Sequence, residues 1–146
     1  TKVTAMTKGN VNSRKDEDGN AVTVTIPDHV NILAELASGA QANMQFSAVT
    51  GLSSGNSVWI YGSEGTLHVD GAMNVYGGKR GDDKLAEIPN PKEGQAYWRV
   101  EEEFCNAIRG LEKITRTPFE VGLHYMEFTE AVTRSAQSGQ TVPIPL

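Results

Sequence analysis

The residues able to do chemistry are few and widely spaced. Three histidines, His29, His68 and His124, sit in separate segments, and neither H-x-x-x-H nor C-x-x-C occurs to give any of them a zinc-ligand partner. The run Gly51-Leu-Ser-Ser-Gly55 has the G-x-S-x-G spacing but reads as a flexible loop ahead of a hairpin and not as the strand-to-helix elbow that presents a serine nucleophile. No G-x-G-x-x-G follows a strand to cradle a dinucleotide. The acidic run Asp16-Glu-Asp-Gly-Asn20 invites a calcium reading. Counted from Asp16, however, glycine falls at the fourth place and Pro27 at the twelfth, where an EF-hand needs glycine sixth and a bidentate glutamate twelfth. The run reads as a solvated hairpin tip. Gly77-Gly-Lys-Arg-Gly81 lacks the spacing of a phosphate loop and leads into no helix, so it and the tripeptide Arg80-Gly81-Asp82 read as turns.

Three adjacent carboxylates, Glu101, Glu102 and Glu103, point in three directions from a helix and suit its dipole better than a metal. Cys105 stands beside the apolar face of the same helix and is expected to be a buried, inert thiol. A small hydrolase using Cys105 or a histidine is the weakest of the functional readings. What remains is a set of polar and aromatic side chains at loop ends beside a sheet, where ligands are commonly held: Arg14, Tyr97, Trp98 and Arg99. These are the substrate-binding candidates. No catalytic residue, cofactor-binding residue or metal ligand is assigned to the chain.

Composition narrows the class. The 146 residues match one domain in size, and 38% of them are hydrophobic, adequate for a core under a sheet with one open face. A net charge of −5 argues against nucleic acid or an anionic membrane as partner. No window approaches the roughly 18 apolar residues of a membrane span, and no secretory signal is recognisable. The single cysteine forbids an internal disulfide and fits a reducing compartment, so the cytoplasm is the expected location. Thr1 opens directly into strand-like residues, which suggests a segment cut from a longer protein.

Elements to position those residues follow from periodicity. Val58-Trp-Ile-Tyr61 and Thr66-Leu-His-Val69 flank Gly62-Ser-Glu-Gly65 and predict a β-hairpin, with both glycines expected to supply the positive φ of a tight reversal. This hairpin is expected to be where the sheet meets its helical cover. Earlier in the chain, Thr1 to Thr7 and Ala21 to Ile26 read as strands. Val30, Ile32, Ala34 and Leu36 share one face of a strand, and Ala42, Met44, Phe46 and Ala48 share one face of the next. The opposite face of that second strand carries Gln41, Asn43, Gln45 and Ser47 and no cation. So uncharged a face suggests a subunit contact. Met73 to Tyr76 and Lys84 to Ile88 read as further short strands.

Two helices close the chain. Val100, Phe104, Ala107, Ile108 and Leu111 make the apolar face of the first, which ends at Gly110. Thr117-Pro118-Phe119-Glu120 predicts a capping box for the second, with proline at its first position. Its buried stripe is expected to run through Val121, Tyr125, Phe128, Val132, Ser135 and Ala136, and its stop is Gly139.

The order of these elements and their local wording carry a family resemblance. Val3-Thr-Ala-Met6, Asp28-His-Val-Asn-Ile-Leu33 and Leu36-Ala-Ser-Gly-Ala-Gln-Ala42 come first. Ile60-Tyr-Gly-Ser-Glu-Gly-Thr-Leu67, Glu103-Phe-Cys-Asn-Ala-Ile-Arg-Gly110 and Ala131-Val-Thr-Arg-Ser-Ala-Gln-Ser-Gly-Gln-Thr-Val142 follow. Together they resemble the C-terminal domain of the glucose–fructose oxidoreductase, inositol dehydrogenase and rhizopine-catabolism (Gfo/Idh/MocA) family over almost the whole chain. The resemblance implies an α+β fold, an open and mostly antiparallel sheet with helices on one face and a second face free for dimer or tetramer contacts. It implies that residues 1–146 are a single substrate-binding and oligomerisation domain. The NAD- or NADP-binding Rossmann domain, with the family's Glu-Lys-Pro motif, would then lie outside the chain. The Asp-x-x-x-His segment of the family has no counterpart either, so no family catalytic residue maps onto a position here, His124 included. The expected whole protein is an NAD(P)-dependent oxidoreductase of a sugar, cyclitol or related polyol, homo-oligomeric through the sheet face and inactive as this segment alone. The alternative is a free-standing, non-catalytic module for self-association or ligand binding.

Overall fold

The computed structural model describes residues 1–53, 55–91 and 97–146. In chain order the elements are β1 (Lys2–Lys8), β2 (Ser13–Lys15), β3 (Ala21–Thr23), β4 (His29–Glu35), β5 (Gln41–Ser47), β6 (Val58–Tyr61), β7 (Gly65–Val69), β8 (Val75–Lys79), β9 (Ala86–Ile88), α1 (Val100–Ile108), α2 (Phe119–Ser138) and β10 (Val142–Pro143). They fall into two compact units, one of residues 1–50 with 100–146 and one of residues 51–99. Every strand pair is antiparallel, and the α+β class expected above holds. The strands form separate ladders: β10-β1-β4-β5, the hairpin β2-β3, and β6-β7-β8-β9.

In the first unit, alternation predicts the middle of each strand and fails at the ends, where Leu36, Phe46 and Ala48 are exposed because the covering helix does not reach them. Ile32 and Ala34 are buried, and Val30, Ala42 and Met44 pack beside them, while Asn31, Leu33 and the amides of β5 face out. Val3 and Ala5 of β1 join this face opposite Ala34 and Ile32. Helix α2 covers it, with Ala131 fully buried and Phe128, Val132 and Ala136 packed around. The predicted stripe is right at Phe128, Val132, Ser135 and Ala136, omits Ala131, and is wrong at Tyr125, which is exposed. Tyr125 lies about 120° round the helix from Ala131, so it sits on the flank of the buried face.

The cap of α2 differs from expectation. The helix begins at Phe119, Pro118 is its N-cap with an extended ψ of 158°, and no side chain caps it. Proline has no N–H to satisfy there, and its carbonyl accepts from Val121 and Gly122 instead. Gly139 ends the helix as expected, at φ 69° with its N–H on the Ser135 carbonyl.

Helix α1 inverts the prediction. Phe104, Ile108 and Leu111 are exposed, Cys105 is exposed, and the buried residue is Glu103. Its carboxylate accepts the Thr115 hydroxyl at 2.6 Å and the Arg116 N–H at 3.2 Å, which anchors the link between the helices. A carboxylate with its lone pairs engaged can be buried where an unpaired one cannot.

The second unit is the sheet β6-β7-β8-β9. The β6–β7 hairpin forms as predicted, Tyr61 opposite Thr66 and the Gly62 N–H on the Gly65 carbonyl at 2.8 Å. It lies in this ladder beside β8, while the helix packed on a sheet is α2 on β1 in the first unit. The reason for its glycines is also different. Neither Gly62 nor Gly65 has a positive φ. A side chain at Gly65 would collide with the Gly78 carbonyl oxygen, so close strand approach demands glycine there. Gly77 and Gly78, expected in a turn, are inside β8; a Cβ on Gly77 would press on Ile88 and Leu67.

Candidate functional site

Each face of the second sheet gathers side chains that the sequence leaves scattered. Trp59 of β6, His68 of β7 and Tyr76 of β8 stand in register across three strands. Their rings stack: Trp59 on His68 with centroids 3.9 Å apart, His68 on Tyr76 at 5.8 Å, and Tyr61 beside Trp59 at 6.0 Å. Trp59 and Tyr61 alternate on one face of β6, but strand register alone fixes that Trp59 meets His68 while Tyr61 meets Thr66. His68 Nε2 lies 3.1 Å from the Ser57 hydroxyl, the pairing a serine nucleophile would need. The carboxylate of the row is engaged elsewhere. Asp70 accepts the Asn74 amide, the N–H groups of Asn74 and Ala72, and the Tyr76 hydroxyl at 3.3 Å. Those bonds, Asn74 foremost, hold Asp70 below the ordinary carboxylate range. Desolvation and then the Asp70 charge raise Tyr76. Among the described residues no acid stands behind its histidine, so the arrangement there is a polar-edged aromatic stack without the third member of a triad.

The opposite face holds an open hollow of about 700 Å³. Ile60, Leu67 and Ile88 form its apolar floor, Gly77 leaves the dip, and Glu64, Lys79 and Asp82 stand around it. The Gly-Lys-Arg turn beside it is no free phosphate nest: the Lys79 N–H donates to Asp82 and the Arg80 N–H to the Glu64 carbonyl. Among the described residues, no group of three or more His, Cys, Asp or Glu is placed to hold a metal ion.

The four substrate-binding candidates divide between the units. Arg14 lies on β2 opposite Val22 and is exposed. Asp28 fixes the approach to this hairpin by accepting the Asn10 and Val11 N–H groups. Desolvation pushes the Asp28 carboxyl up, but these bonds outweigh it and leave its pKa below the usual value. Tyr97, Trp98 and Arg99 run consecutively into α1, with Tyr97 and Trp98 largely exposed and Arg99 half-buried.

The open face of the first unit's sheet carries the polar strand anticipated from sequence. Gln45 Nε2 donates to the Asn31 side-chain oxygen Oδ1 at 3.2 Å, and Asn31 Nδ2 in turn meets His29 Nε2 at 3.1 Å. Exposed Met6 and Leu33 lie among these amides.

No protein-family model and no curated protein matches the chain. Solved structures do. An NAD-binding oxidoreductase from Klebsiella pneumoniae is 23% identical, with a TM-score of 0.76 over 97% of this chain and 44% of that one. The WlbA dehydrogenase from Bordetella pertussis, in complex with NADH and UDP-GlcNAcA, is 21% identical, with a TM-score of 0.67 over 99% of this chain and 39% of that one. Levoglucosan dehydrogenase, in complex with NADH and L-sorbose, is 18% identical, with a TM-score of 0.77 over 99% of this chain and 44% of that one. The chain thus has the fold of one part of NAD-binding oxidoreductases, the fold that the family resemblance implies. It spans less than half the length of the structures it matches.

No helix among the described residues is long and apolar enough to cross a membrane.

Proposed function

We propose that this chain is the C-terminal, substrate-side and oligomerisation part of a Gfo/Idh/MocA-type NAD(P)-dependent oxidoreductase acting on a sugar, cyclitol or related polyol. The observation that carries the reading is the fold match over nearly the whole chain to enzymes whose structures hold NADH with a sugar or a sugar nucleotide. Hydride transfer requires a nicotinamide at near-contact distance from the substrate carbon and a proton acceptor beside it. On this reading residues 1–146 supply pocket wall, through Arg14, Tyr97, Trp98 and Arg99, while cofactor and proton acceptor are held by polypeptide outside them. The open face of the β10-β1-β4-β5 sheet makes the subunit contact, with Met6 and Leu33 at its centre, in a cytoplasmic homo-oligomer.

The test is the reading frame upstream of Thr1. A strand, a G-x-G-x-x-G turn and a helix followed by Glu-Lys-Pro supports the proposal. A protein joining the two should lose affinity for its polyol in Arg14→Ala and Trp98→Ala, seen as a raised KM. A stop codon or an unrelated domain upstream would leave the self-associating, non-catalytic module as the better account.

A further inference from the structure

Strand β5 is an edge: among the described ladders it pairs with β4 alone. Edges are normally blunted by charge, proline, bulges or shortness. The far edge of the same sheet shows this, since β10 is two residues long and ends in Pro143. β5 has none of these devices. It runs seven residues, Gln41-Ala-Asn-Met-Gln-Phe-Ser47, paired to β4 without a bulge and without a single charged residue.

The hydrogen-bonding parity of this strand is fixed by its two ends. Leu36 N–H bonds the Ala40 carbonyl at 2.8 Å, and Ala48 N–H bonds the Asp28 carbonyl at 2.9 Å. Both pairs belong to the β4–β5 register, and bonded pairs in an antiparallel ladder recur every second residue. Ala42, Met44 and Phe46 therefore direct their backbone groups at β4. Gln41, Asn43, Gln45 and Ser47 direct theirs at the open edge.

We propose that this edge pairs with the same edge of a second copy of the chain, antiparallel about a two-fold axis through Met44. That register sets Gln41 opposite Ser47, Asn43 opposite Gln45 and Ala42 opposite Phe46, and the two Met44 face each other. It is the register that lets all the outward backbone groups of β5 pair with outward groups of the partner. The side chains agree with it on both faces. Amide meets amide or hydroxyl on the polar face, and on the apolar face the small Ala42 leaves room for Phe46, which is 58% exposed in the single chain. A two-fold contact has to be self-complementary, and here a large residue and a small one exchange places across the axis. The sheets of the two copies become continuous. The contact depends on β5 alone and stands or falls separately from the oxidoreductase reading and from the open-face contact.

Sedimentation of the whole chain and directed cross-linking test it together. Asn43→Pro removes an outward N–H while leaving the bonds to β4 in place, a position where an edge strand tolerates proline. It should weaken dimerisation by about tenfold or more, with an unchanged far-ultraviolet circular dichroism spectrum. Met44→Cys in a Cys105→Ser background should give a disulfide-linked dimer on mild oxidation with diamide, because facing residues at a non-bonded pair lie within disulfide reach. Gln41→Cys in the same background should not, since its two copies would stand about 20 Å apart along the strands. Should Asn43→Pro fail to fold, the cysteine pair decides alone. A monomeric wild type, equal cross-linking at positions 41 and 44, or association that survives Asn43→Pro yet is lost in Leu33→Glu would each overturn the proposal.

Discussion

Ser135 shows how much one hydroxyl can hold. Strands β1 and β10 pair at Lys2 with Pro143 and at Val3 with Val142, and the next rung has parted enough that the Thr4 and Thr141 hydroxyls meet at 2.7 Å. One step further, Ala5 N–H and the Gln140 carbonyl no longer reach each other. The Ser135 Oγ, fully buried, accepts from the first at 2.9 Å and donates to the second at 2.6 Å. Helix α2 thereby replaces the missing rung. Ser135→Ala strands both backbone groups, and by the usual cost of a lost buried bond should destabilise the chain by about 1–3 kcal/mol, read as a fall in thermal midpoint. Glu103 is the acidic counterpart. The Thr115 hydroxyl, ahead of the opposing desolvation, and then the Arg116 N–H hold its pKa below the ordinary glutamate value. A carboxyl lowered in the folded state lends stability that is present above its unfolded pKa and lost as pH falls through its folded one. Unfolding midpoints measured between pH 6 and pH 3 should therefore decline toward the acid end, and Glu103→Gln should flatten that decline while lowering the plateau at neutral pH.

At the scale of elements, legibility tracked how local the determining force is. Alternation gives β4 and β5 their inward faces at Val30, Ile32, Ala34, Ala42 and Met44, because side-chain direction in a strand follows from pleating alone. It does not give the exposure of Leu36 and Phe46, which depends on how far the cover extends. Helix α1 departs from its periodicity because that pattern reports which residues share a face and cannot report that the face is covered. Phe104 and Ile108 do share one, and both are exposed, while Glu103 is buried by partners twelve and thirteen residues on. The aromatic row Trp59–His68–Tyr76 was illegible for a similar reason, since it exists only through the β6–β7–β8 register. Glycines are the third case. The β6–β7 turn was found, but the role of Gly65 is a close approach to Gly78 that no local rule announces. Gly65→Ala must therefore push two backbones apart, and should cost about 1–3 kcal/mol as overpacking does. Gly62→Ala, whose Cβ would meet the Gly65 carbonyl at 3.4 Å, should cost less. Denaturant midpoints of the two variants compared side by side check the order; equal losses would return the explanation to turn conformation.

For the molecule as a whole, the charges at the helix starts bear on what the chain can hold by itself. A dinucleotide is bound where a glycine-rich turn opens a helix, so that free N–H groups and the positive end of the dipole meet the pyrophosphate. Helix α1 opens with Glu101, Glu102 and Glu103 in its first turn, and α2 follows Pro118 with Glu120 in its own. Carboxylates already occupy the positive ends, and the net charge of −5 adds repulsion at longer range. We therefore expect titration calorimetry of residues 1–146 with NADH to give no saturable heat up to about 1 mM, a ceiling equivalent to roughly 4 kcal/mol of binding free energy. Adding a polyol should change nothing, because on the proposed reading the chain supplies pocket wall alone and leaves the substrate most of its solvent. Micromolar binding of NADH by this chain would mean that the cofactor site lies here after all, and that the division of labour between this fold and the rest of an oxidoreductase has been drawn in the wrong place.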